Sequence, residues 1–117
     1  MRMLVLGAGL QGSACAFDLL QNPDVREVRL ADLTIDHLPP FLAPYSGPRL
    51  IPTRVDVRSR EGVLALMRHS DAVLSAIPYY FNYPLSQLAV EAGAHFCDLG
   101  GNTEIVFQQK TLDAQAK

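Results

Sequence analysis

The chain has no tryptophan, only two cysteines, no excess of basic residues and no long apolar run. Each shortage excludes something. A membrane-spanning helix needs about 20 consecutive apolar residues, and no segment approaches that. The opening Met1-Arg2-Met3-Leu4-Val5-Leu6 has the charge of a secretory leader, but its apolar run stops at Gly7, short of a leader core. Cys15 and Cys97 belong to no close Cys/His cluster with metal-ligand spacing, so no metal site is expected. Both are expected to be buried free thiols in a reducing cytoplasm. Ten Lys and Arg stand against twelve Asp and Glu, a net charge of −2. No positive field recruits nucleic acid or an anionic membrane. An anionic ligand would have to be held by local dipoles.

What is present suits one packed domain. The chain has 117 residues, 49% hydrophobic and 19% charged, which argues against disorder. Short apolar runs at 3–6, 25–31, 49–57, 72–77 and 95–99 read as strands. Helical periodicity fills the gaps: 10–21 with Leu10, Ala14, Phe17 and Leu20 on one face, and 60–69 with Val63, Leu66 and Met67 inward. Ser59 is placed to cap the second of these helices. A third carries Pro84 in its first turn and the stripe Leu85, Leu88, Ala89 and Ala92, and Gly93 is placed to end it in a left-handed turn. A last helix begins near Thr103 and is expected to run to Lys117. Five of the eight prolines crowd into 39–52, leaving room for only a short helix near Phe41 and Leu42.

Strand–helix alternation implies an α/β fold: a Rossmann-type, doubly wound parallel sheet with helices on both faces, three layers, and strand order 3-2-1-4-5. Pro52 supports that order independently. It removes a ladder donor from the third strand, which is an edge in this arrangement. Ligands of such sheets bind at the carboxyl ends of the strands. The loops that matter are therefore 7–12, 32–34, 56–58, 76–80 and 99–102.

The first of these loops is the strongest signal. Val5-Leu6-Gly7-Ala8-Gly9-Leu10-Gln11-Gly12 follows a strand and opens a helix, and Asp32 stands twenty residues on at the end of the second strand. That is the dinucleotide-binding fingerprint. Gly7 permits the turn, Gly9 lets a pyrophosphate approach, and Gly12 lets the helix pack. The amides of Leu10 and Gln11 then face the diphosphate at the positive end of the helix. Asp32 would accept from the ribose hydroxyls or, alternatively, only cap the next turn. No arginine follows at Leu33 or Thr34 to neutralise a 2′-phosphate, which favours NAD over NADP. Asp56 and Val57 could meet the adenine, or Asp56 could simply turn the chain before Ser59. Ala76, Ile77 and Pro78 are small or apolar enough for the second ribose to pass. Tyr79, Tyr80, Phe81 and Tyr83 could wall a nicotinamide or substrate pocket, or pack on a neighbouring domain. Gly100 and Asn102 lie where the nicotinamide should project, with Asn102 an amide donor or a helix cap. His37 and His69 read as surface residues, and His95 as a core or edge one.

These residues also carry a family resemblance. The glycine loop, Ala31-Asp32, Asp56-Val57 and His95-Phe96-Cys97-Asp98-Leu99-Gly100-Gly101-Asn102 resemble the N-terminal domain of saccharopine dehydrogenase-like proteins, with the L-lysine 6-dehydrogenase branch the nearest. The Asp98-Leu99-Gly100-Gly101 run is the more discriminating part. The resemblance implies hydride transfer between a nicotinamide dinucleotide and the carbon of an amino acid's C–N bond. It also implies a second domain beyond Lys117 that binds the small amino-acid substrate, so this chain alone is expected to be inactive. No catalytic residue carries over. The truncated sheet is expected to form a homo-oligomer. The rival readings are the cofactor domain of a saccharopine- or carboxynorspermidine-type reductase and a non-enzymatic NAD-sensing domain.

Overall fold

A computed structural model describes residues 1–45 and 47–116. Strands β1 (Arg2–Leu6), β2 (Glu27–Asp32), β3 (Leu50–Arg54), β4 (Ala72–Ser75) and β5 (His95–Asp98) alternate with helices α1 (Leu10–Leu20), α2 (Arg60–Arg68), α3 (Asn82–Ala92) and α4 (Thr103–Lys110). The crossover between β2 and β3 holds only a 3-10 turn, Pro40–Tyr45, in the proline-rich segment. The strands are all parallel, in the order β3-β2-β1-β4-β5 expected above, with Pro52 on an edge strand.

Alternation along the strands builds two cores, one on each face of the sheet. Val5, Val28 and Leu30 point to the side of α1, where Ala16, Leu20, Leu42 and Leu50 complete the packing. Leu4, Leu6 and Ala31 point to the other side, against Val63 and Met67 of α2 and Leu85 and Ala89 of α3. Burial on both faces is why the strands read as continuous apolar runs. Gly93 ends α3 at φ +74°, in the left-handed conformation expected of it.

Several sequence expectations need correction. The buried face of α1 is Gly12, Ser13, Ala16 and Leu20, whereas Leu10, Ala14 and Phe17 are exposed. Gly12 is small by necessity, because a Cβ there would run into the Gly7 carbonyl of the preceding loop. Phe17 instead meets Phe41 and Tyr45 edge-on, at centroid distances of 5.5 and 5.9 Å. Ser59 occupies the N-cap position of α2, but its hydroxyl makes no capping bond. The turn is made by Asp56, whose carbonyl accepts from the Ser59 N–H at 2.8 Å. The thiols are not buried: Cys15 is half-buried and Cys97 exposed. Cys97 sits on the edge strand, and both line an apolar cleft of about 490 Å³ beside α1, with Met3, Leu19 and Leu74. The final helix does not run through. It stops at Lys110, turns so that Leu112 is buried, and resumes over Asp113–Ala116. The expected end of that helix at Lys117 lies outside the described residues.

Candidate nucleotide site

β3 and β4 leave the ladder earlier than their apolar runs suggest, at Arg54 and Ser75. Asp56-Val57 and Ala76-Ile77-Pro78 are thereby released into loops at the carboxyl end of the sheet, beside the glycine loop. That end gathers the residues with chemistry.

The glycine loop is shaped by backbone contacts that exclude side chains. Gly7 lies at φ +106°, and a Cβ there would stand 2.6 Å from the Ala76 carbonyl oxygen. A Cβ on Gly12 would stand 1.7 Å from the Gly7 carbonyl oxygen. The turn is fixed by the Gly7 N–H donating to the Ala31 carbonyl at 2.7 Å and the Ser13 hydroxyl donating to the Ala8 carbonyl at 3.1 Å. Gly9 differs from the other two, because nothing stands within 4 Å of where its Cβ would be. The space over it is open, while the first-turn amides of α1 have no intrahelical acceptor. Among the described residues, no partner meets the N–H groups of Leu10 and Gln11. An open cradle of free amides at the positive end of a helix is what a diphosphate requires. The fit rests on this geometry.

Asp32 joins the loop to the next strand. Its Oδ2 accepts from the Ala8 N–H at 2.6 Å and its Oδ1 from the Leu33 N–H at 2.6 Å. Each carboxylate oxygen keeps lone-pair capacity for a further donor such as a ribose hydroxyl. Asp32 therefore does locally what a cap does and also shapes the glycine loop.

Beyond Asp32 opens a cleft of about 340 Å³. Six residues expected at the site line it: Asp32, Leu33, Asp56, Val57, Ile77 and Pro78. Ala76 does not; its carbonyl and Cβ pack behind Gly7 and Gly12. Two residues line the cleft in roles that sequence reasoning does not assign, Arg58 and Phe81. Arg58 lies in a loop expected to matter, and its spacing of two from Asp56 is the available signal. Phe81 belongs to the aromatic run expected at a nicotinamide or substrate pocket. It is instead half-buried against the α2–α3 core.

Asp56 holds its turn with Oδ1, which accepts from the Arg58 backbone N–H at 2.9 Å and from Arg58 Nε at 3.1 Å. Oδ2 accepts from Arg58 Nη2 at 3.1 Å. The guanidinium hydrogen bond, then the backbone one, holds the Asp56 carboxyl below its ordinary value, and the same partner raises Arg58.

Gly100 and Asn102 stand outside this cleft, in the loop after β5. The Gly100 N–H donates to Asp98 Oδ1 at 2.8 Å, and Asp98 Oδ2 accepts from Gln109 Nε2 of α4 at 2.7 Å. Gln109 also donates to the Ser86 hydroxyl at 2.7 Å, tying the loop to α3. Asn102 Oδ1 caps α4 by accepting from the Ile105 N–H at 3.1 Å, which leaves its amide NH₂ as a donor. Tyr79 is exposed close to Gly101 of this loop, and Tyr80, edge-on to Tyr79, is exposed as well. His37, His69 and His95 are exposed, in keeping with surface or edge positions. No group of His, Cys, Asp and Glu among the described residues could hold a metal ion, and no helix there is long and apolar enough to cross a membrane.

Comparison with known proteins gives a consistent picture. Residues 3–117 match the family model described as the saccharopine dehydrogenase NADP binding domain. Among solved structures, a saccharopine dehydrogenase (L-Glu forming) from Saccharomyces cerevisiae aligns with a TM-score of 0.77 at 22% identity, covering 97% of this chain and 24% of that one. A UDP-N-acetylglucosamine 3-dehydrogenase from Acidithiobacillus ferrooxidans aligns at 0.66 and 18% identity, covering 98% and 36%. A scyllo-inositol dehydrogenase from Lactobacillus casei aligns at 0.65 and 17% identity, covering 99% and 33%. The chain thus spans between a quarter and just over a third of the length of these structures. At such identities the likeness establishes the fold.

Proposed function

The chain belongs to the family of saccharopine dehydrogenase NADP binding domains, and from that premise we propose that it is the coenzyme-holding part of an oxidoreductase acting on the C–N bond of an amino acid. The observation that carries the reading is the open space over Gly9, faced by the free amides of Leu10 and Gln11 and bordered by the Asp32 carboxylate. In this reading the α1 amides hold the diphosphate, and Asp32 accepts from the adenosine ribose. Asp56, Val57, Ile77 and Pro78 enclose the adenosine end. Asn102 offers its NH₂ toward the nicotinamide end, with Gly100 allowing close approach. The bound coenzyme supplies a hydride acceptor or donor at its nicotinamide ring.

The family is described by NADP, but the charge of Asp32 opposes a 2′-phosphate, and on that ground we favour NAD for this chain. The reaction we favour is oxidation of a terminal amine to an imine, as the resemblance to the L-lysine 6-dehydrogenase branch implies. The amine must be held within reach of the nicotinamide. We assign that task to a further domain, so the isolated chain should bind coenzyme without turnover. The open apolar cleft beside α1 supports association with a second copy, and the accessible Cys97 thiol suits a reducing cytoplasm.

Calorimetry with NAD and NADP tests the coenzyme reading. Saturable binding of at least one is expected. Absence of heat with both up to millimolar concentration would refute it. Sedimentation over a concentration series tests association, and a strictly monomeric species would remove that claim.

A further inference from the structure

The cleft beside the glycine loop is lined by two carboxylates, Asp32 and Asp56, and one guanidinium, Arg58. Their charges do not cancel; the balance is one negative charge. Arg58 is also committed. Its backbone N–H, Nε and Nη2 all donate to Asp56. The pair stands in water, with side-chain exposures of 72% for Arg58 and 37% for Asp56. An ion pair so exposed is held weakly, and a stronger anion can take the guanidinium away. A phosphate monoester is such an anion: it offers three acceptor oxygens and matches the fork of an arginine.

We propose that the Asp56–Arg58 pair sets this chain's choice between the two nicotinamide coenzymes. While Asp56 keeps Arg58, the two carboxylates outweigh the guanidinium and a free 2′-hydroxyl is preferred. Once Arg58 is released, it turns to a 2′-phosphate and offsets the repulsion from Asp32. Arg54 is the natural control. It is the register neighbour of Asp32 across β2 and β3, yet it pairs with Asp36 at 3.5 Å and does not line the cleft. This inference rests on the nucleotide reading above and adds to it the residues that read the 2′ position.

The test is direct binding of NAD and NADP to the full chain by calorimetry, with thermal melting to show that each variant is folded. Asp56→Asn should raise the ratio of NADP to NAD affinity by roughly tenfold, and Arg58→Ala should lower it by roughly tenfold, the scale of a single charge-assisted hydrogen bond. The gain in Asp56→Asn should shrink as salt is added. Arg54→Ala should leave the ratio where it was. An unmoved ratio in both cleft variants, or an equal shift in Arg54→Ala, overturns the proposal while the nucleotide reading stands. Failure of the unaltered chain to bind either coenzyme overturns both.

Discussion

Replacing Gly12 with alanine adds one methyl group where the backbone leaves no room. The new Cβ would stand 1.7 Å from the Gly7 carbonyl oxygen. The contact has to open by more than an ångström before ordinary spacing returns, and the obstacle is backbone, not a side chain that can swing aside. Two effects oppose each other. Alanine is favoured over glycine in a helix by about 1 kcal/mol. Overpacking a tight site costs typically about 1–3 kcal/mol and sometimes more. A clash this deep belongs at the upper end of that range, so destabilisation wins. The net loss is about 2 kcal/mol, and with about 4 °C lost per kcal/mol for a domain of this size the melting midpoint should fall by about 8 °C. Coenzyme affinity should fall with it, because α1 and its free amides move away from the loop. Gly9→Ala separates the two effects. Its φ is −75° and its Cβ would enter open space, so the variant should melt like the parent and yet bind coenzyme at least tenfold more weakly, a loss of about 1.4 kcal/mol. Melting curves and calorimetry on the two variants decide the matter. A Gly12→Ala protein as stable as the parent would refute the packing account of the loop, and a Gly9→Ala protein that binds as well would refute the cradle over Gly9.

Asp32→Ala should strip the acceptor from both the Ala8 and Leu33 N–H groups, costing about 1–2 kcal/mol in urea unfolding and abolishing measurable NAD binding. Unchanged binding would mean that the carboxylate serves only the loop. Leu6→Ala empties a fully buried site in the α2–α3 core and should cost about 2–5 kcal/mol; a loss under half the lower figure would show that the core collapses around it. Asp56 has its carboxyl held below the ordinary value by Arg58. Its contribution to stability is therefore present at neutral pH and lost only as pH falls through that lowered value. The melting difference between the parent and Asp56→Asn should accordingly stay constant through neutrality and close only in acid. A difference that changes between neutral and mildly alkaline pH would point to another group.

Much of the architecture is legible in the chain because short-range rules govern it. The glycine spacing can be read directly, since no side chain is tolerated at Gly7 or Gly12. Pro52 marks an edge strand for an equally local reason, a missing donor. Periodicity misleads where a tertiary contact outweighs it. On α1 the large residues Leu10 and Phe17 share a helical face, but the fold buries Gly12, Ser13, Ala16 and Leu20 instead, with Gly12 held against the Gly7 carbonyl. Leu112 reads as part of a continuing helix, whereas the helix ends at Lys110 and Leu112 is buried in the turn that follows. The cysteines read as interior residues because a free cysteine is among the most often buried residue types, yet the edge position of β5 leaves Cys97 in solvent.

The candidate site divides along the same line. Residue order alone supplied the glycine loop, the acidic residue after β2 and the parallel sheet that sets them side by side, since backbone freedom and hydrogen-bonding capacity belong to each residue wherever it lies. Asp56 is expected near Asp32, but only the folded chain shows Arg58 locked onto Asp56 and Phe81 closing the same cleft. They come from two separate loops and meet because β3 and β4 both end early at the carboxyl end of the sheet. A contact of that kind depends on where strands stop in space, and no local pattern along the chain records it.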